Sequence, residues 1–165
     1  MVIKKYNKGL TLTEFMLALA GSIFLLLAVF FGYRLVKESQ DNTIAIQQAS
    51  TFIMVLENYG ASSSDVFPSG IFNYGPASND TNLSSNLQNL YNYIHNNIGN
   101  INDISIQYTC ETNPKAIITA GIPDINLVKL DTGIITRIHE ANDNNWNCSI
   151  LNNSVVCTYL HGTCE

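Results

Sequence analysis

The sequence predicts an α+β protein: a long N-terminal helix, transmembrane and then amphipathic, packed on a small antiparallel β-sheet head with C-terminal disulfides. Three observations lead there. Residues 10–33 form an apolar run whose only ionisable group is Glu14. Residues 34–57 continue with no Pro or Gly. All four cysteines, Cys110, Cys148, Cys157 and Cys164, lie in the C-terminal third, among short alternating segments.

About 20 apolar residues suffice to cross a bilayer core, so residues 10–33 are long enough to span one. A secretory signal peptide has a shorter apolar core of about 7–15 residues and a small-residue cleavage site, which the sequence Phe30-Phe31-Gly32-Tyr33-Arg34 does not offer. Beyond the membrane segment, Ala45, Ala49, Phe52, Ile53 and Leu56 recur on one helical face and predict an amphipathic continuation. Gly60 is the expected stop, followed by a loop at residues 61–64. Gly21 and Gly32 are the expected weak points of the helix, each costing about 0.5–1 kcal/mol relative to Ala.

Residues 61–80 contain Pro68, Pro76 and many small side chains and read as a surface loop. Leu83, Leu87, Leu90, Ile94 and Ile98 then fall at helical intervals and end at Gly99. Ile104, Ile106 and Tyr108 alternate as a half-buried strand does, and residues 116–122 are a second strand candidate. Residues 123–139 admit two readings. Pro123 can open a helix with Leu127, Val128, Ile134, Ile135 and Ile138 inward and Arg137 and His139 at its C-terminal end. Alternatively, Asp131-Thr132-Gly133 can turn a hairpin. The helix is preferred, and the hairpin stays open at this level.

Cys148 and Cys157 flank Asn152-Asn153, residues that tolerate the positive φ angles of a two-residue hairpin turn. Counting outward from that turn, the two cysteines face each other at a non-hydrogen-bonded site, where Cα atoms lie about 4.5 Å apart and a disulfide can form. By elimination Cys110 joins Cys164. Four cysteines allow three pairings, so this is a preference among them. Cysteines behind a membrane-targeting segment point to an oxidising compartment.

The segment Lys8-Gly9-Leu10-Thr11-Leu12-Thr13-Glu14-Phe15 resembles the processing site of type IV prepilins and pseudopilins. That family has a basic leader ending in Gly, then an apolar residue, with Glu fifth in the mature chain and a long apolar helix following. The resemblance implies cleavage between Gly9 and Leu10 by a membrane prepilin peptidase, which N-methylates the new terminus. It divides the chain into a leader (1–9), an N-terminal helix (10–59, with 10–33 in the membrane) and a globular head (60–165). Gly9 suits a tight peptidase site because it lacks a side chain. Lys4, Lys5 and Lys8 hold the leader in the cytoplasm by the positive-inside rule, which sends the head to the periplasm. Glu14 is implied to neutralise the terminal ammonium of a neighbouring subunit within the filament, where an unpaired charge is costly. A C-terminal disulfide loop is also implied.

Leu10 in place of Phe resembles the type IVb branch, although a nine-residue leader is short for it. No proline interrupts residues 10–58 to kink the helix. Removing the leader leaves 156 of 165 residues, short for a major type IVb subunit, which favours a minor pilin. The implied partners are other pilin subunits, the prepilin peptidase, the inner-membrane assembly platform and the membrane itself. The implied location is the bacterial inner membrane, then the extracellular filament.

Other function classes find less support. Without the leader, five basic residues face 13 acidic ones, a net charge of −8, and no basic patch remains to follow a nucleic-acid backbone. His95, His139 and His161 are scattered, with no nucleophile arrangement beside them, so neither an enzyme nor a cofactor is expected. Cys157, His161 and Cys164 could be drawn as metal ligands, but disulfides are favoured in an oxidising compartment. Asp103, Asp124, Asp131 and Asp143 read as loop or cap acids. The alternatives carried forward are a pseudopilin of a type II-like secretion system and a membrane-tethered periplasmic binding protein.

Overall fold

The computed structural model describes residues 11–76, 82–121, 125–140 and 145–165. The protein is α+β, with a long apolar N-terminal helix, a small antiparallel sheet and two disulfides. It divides into two units, Met1–Lys37 and Glu38–Glu165, which the helix α1 (Leu12–Ser62) traverses.

In the first unit α1 is the only described element. Its side chains are exposed, including Leu17, Phe24 and Leu25. The helix passes unbroken through Gly21 and Gly32, where an added Cβ would meet nothing.

The second unit is built on the amphipathic part of α1. Ala45, Ala49, Phe52, Ile53 and Leu56 are fully buried, as their spacing predicts. Beyond them α1 continues through Gly60 to Ser62, so Gly60 does not stop the helix. Gly60 is buried instead, with the Phe67 ring so close that an added Cβ would sit 2.6 Å from it. The chain turns at Ser64 and Asp65, both with positive φ, and the Asp65 N–H donates to the Gly60 carbonyl at 2.8 Å.

The expected surface loop at 61–80 contains two strands, β1 (Val66–Phe67) and β2 (Gly70–Tyr74). Their burial explains the difference. Phe67, Phe72 and Tyr74 enter the core, and the buried Tyr108 hydroxyl donates to the Pro68 carbonyl at 2.9 Å. Burial also pushes the Tyr108 phenol well above its ordinary range.

Helix α2 (Ser85–Ile98) is capped by Ser84 and ends at Gly99, whose φ of 73° suits glycine. Strands β3 (Ile104–Cys110) and β4 (Pro114–Ala120) follow. Helix α3 (Leu127–Glu140) occupies the segment that admitted a hairpin. Its cap is Asn126, whose Oδ1 accepts the N–H groups of Val128 and Lys129. Pro123 lies outside the described residues and precedes this cap. Val128 is exposed rather than inward, and Leu130 takes a buried position with Ile134 and Ile138.

Strands β5 (Trp146–Leu151) and β6 (Ser154–Tyr159) form a hairpin through Asn152 and Asn153, both at positive φ. The five-stranded antiparallel sheet has the order β2-β3-β4-β6-β5. Strand β7 (Thr163–Cys164) pairs in parallel with β1 in a separate two-stranded sheet. On β3 every second residue from Ile104 to Cys110 is buried, and this face joins α1, α2 and α3 in one core.

Candidate functional site

The residues singled out by the sequence fall in two places. Gly9 and Leu10 lie outside the described residues. Glu14 stands in the first turn of α1. Its Oε2 accepts both the Thr11 backbone N–H and the Thr11 hydroxyl, each at 2.9 Å. In return the Glu14 N–H approaches Thr11 Oγ1 at 3.4 Å, and the Phe15 N–H donates to the Thr11 carbonyl at 3.0 Å. This is a capping box, the reciprocal arrangement that satisfies donors a helix start would otherwise leave open. The carboxylate also sits at the positive end of the helix dipole.

This role of Glu14 was not read from the sequence, although Thr11 and Glu14 stand three apart, the spacing that signals it. Both bonds engage Oε2, and among the described residues none engages Oε1. The acid can therefore fix its own helix start while keeping one oxygen for another group.

Next to this acid the helix surface is apolar. α1 is long and apolar enough to cross a membrane, and none of its most apolar stretch is buried against its own chain.

The cysteines form the second place. Cys148 is bonded to Cys157, with Cα atoms 4.0 Å apart, across the register that pairs them on β5 and β6. Cys110, at the end of β3, is bonded to Cys164 on β7, with Cα atoms 5.6 Å apart. The bond from Cys110 holds the C-terminal strand beside β1, where the Glu165 N–H donates to the Phe67 carbonyl and the Ser69 N–H donates to the Glu165 carbonyl. These cysteines carry structure, and none is free.

The histidines stay apart from them. His95 lies on α2 and His139 on α3, while His161 is in edge-on ring contact with Tyr159. Among the described residues no three His, Cys, Asp or Glu side chains gather in a way that could hold a metal ion. Asp103 accepts from Gln48 at 3.3 Å and Asp131 lies on α3, while Asp124 and Asp143 fall outside the described residues. Compared with protein-family models, with curated proteins and with solved structures, the chain finds no match in any of the three.

Proposed function

We propose that this chain is a structural subunit of a type IV pilus-like filament, a minor pilin of type IVb character. In this reading it is cut after Gly9, N-methylated at Leu10, held in the inner membrane by α1 and then assembled through that helix. The observation that carries this reading is an acid fixed at the mouth of an unbroken apolar helix. A plain anchor would gain only the cap from this acid, and the further into the membrane a charge lies the more it costs, up to about 2.5–3.5 kcal/mol at a helix centre on insertion scales. A subunit that must align with identical neighbours does gain, since a carboxylate paired with a neighbour's ammonium in a low-dielectric bundle fixes axial register. The capping box supports this role by holding Oε2 on Thr11 and leaving Oε1 to a partner.

The experiment is a Glu14→Ala variant expressed in the native cells. Leader removal stays intact, while the amount recovered in sheared filaments falls at least about tenfold, the equivalent of 1.4 kcal/mol of lost pairing. Unchanged incorporation contradicts the pairing role.

A further inference from the structure

The head carries a cleft that the filament reading does not use. Tyr74, Tyr91, His95, Asn100, Ile101 and Asn102 line a cavity of about 350 Å³, within the size range of small-ligand pockets. Its floor is rigid. Ile101 is buried, and the Tyr74 hydroxyl donates to the Gly99 carbonyl that closes α2. Burial, and then the neighbouring Tyr91, push the Tyr74 phenol up to about 12, so it stays a protonated donor at neutral pH.

One wall is aromatic. Tyr91 and His95 stand one helical turn apart on α2, with rings nearly parallel at 7° and centroids 6.2 Å apart. Tyr91 is held in place by edge contacts from Phe72 and Tyr74 at 5.6 and 5.5 Å. It is half-buried, and His95 is exposed. Asn100 and Asn102 also line the cleft, and both are exposed. Among the described residues neither carboxamide has a hydrogen-bond partner, so each offers two donors and an acceptor to the cleft.

Among the described residues no Lys, Arg, Asp or Glu lines the cavity. These residues offer a phosphate or carboxylate no counter-charge and a cation no carboxylate. A ring with one apolar C–H face and a rim of neutral hydroxyls matches this mixed aromatic and carboxamide lining. The apolar face rests on the aromatic surface, and the hydroxyls exchange hydrogen bonds with the carboxamides and the imidazole. We propose that this cleft between β2, α2 and the segment after Gly99 binds the ring of a neutral hexose. The site lies wholly in the head and does not depend on the filament reading.

Saturation-transfer NMR tests it with the full chain in a zwitterionic, non-glycosidic detergent. The probes are glucose, galactose, mannose and N-acetylglucosamine, with tetramethylammonium as the cationic control. We expect saturation to reach the C–H protons of at least one sugar. Tyr91→Leu should weaken that binding at least tenfold, and Asn102→Ala, at an exposed position outside the core, about three- to tenfold. Transfer to none of the four sugars, transfer to tetramethylammonium alone, or sugar binding that Asn102→Ala leaves unchanged would each overturn the assignment.

Discussion

The side chain of Asn42 on α1 accepts the backbone N–H of Asn126 at 2.8 Å, and Asn126 in turn caps α3. Asn42 is buried at 4% exposure, and its Nδ2 donates to the Glu38 carbonyl at 2.7 Å. A polar residue in the apolar stripe of α1 is thus bonded through both its oxygen and its nitrogen, and it ties α1 to the start of α3. Asn42→Leu leaves the Asn126 N–H without its partner, at a cost of about 1–3 kcal/mol. Asn126→Ala removes the cap as well, for about 0.5–2 kcal/mol. Asn126→Ala keeps the backbone N–H that Asn42 accepts, so the two substitutions remove different bonds, and urea unfolding of the double variant should come near the sum of the two losses. A double variant no less stable than Asn42→Leu alone would show that the cap depends on Asn42. The exposed ion pair beside them, Lys129 to Glu38 at 3.8 Å, adds little by comparison.

Gly60 and the glycines of the apolar stretch of α1 should respond oppositely to alanine. At Gly60 the new methyl meets the Phe67 ring at 2.6 Å, and Phe67 is itself enclosed by Tyr59 and Tyr159. Gly60→Ala should cost about 1–3 kcal/mol in thermal or urea unfolding. At Gly21 and Gly32 nothing stands in the way, and alanine should raise helix stability by about 0.5–1 kcal/mol, read as helicity of the segment in micelles.

The two disulfides should contribute unequally. The bond between Cys110 and Cys164 spans a sequence separation of 54 and that between Cys148 and Cys157 one of 9. On the chain-entropy model the longer loop contributes about 4 kcal/mol and the shorter about 2.5 kcal/mol. Paired alanine substitutions compared by urea unfolding check the ranking. A larger loss on removing the hairpin bond would contradict it.

Asp131 sets a pH dependence. Among the described residues its buried Oδ1 has no hydrogen-bond partner, and burial holds its carboxyl above the usual carboxylate range. Between the unfolded value near 3.9 and the raised folded value, the native state binds more protons than the unfolded one. Stability from this group is therefore present at low pH and is lost as pH rises through the folded pKa. Asp131→Asn should stabilise the head at pH 7 and make no difference near pH 3. An equal effect at both pH values would show that ionisation is not the cause.

Elements with strong local signals were legible in the sequence. The buried face of α1 followed from its 3.6-residue spacing, and α2 from its leucines and Gly99. The β5–β6 hairpin followed from Asn152-Asn153, which take the positive φ expected of that turn. Where tertiary packing decides, the signal was weak. Pro68 and Gly70 make residues 66–74 look like a loop, and only pairing with β3 and the Tyr108 bond to Pro68 make part of it a strand. The start of α3 was misplaced because Pro123 is a stronger punctuation mark than Asn126, whose capping shows only in its bonds. The sugar-sized cleft was not legible, since Tyr74 comes from a strand read as loop and meets Tyr91 only in the folded chain.

In the proposed filament subunit, a cut after Gly9 would make α1 an assembly element rather than a permanent tether. Intact-mass and N-terminal peptide spectrometry of the protein purified from native cells measures it directly. The expected product begins at Leu10 and carries one added methyl group on its amine. A chain that still begins at Met1 in wild-type cells would contradict the filament reading at its root.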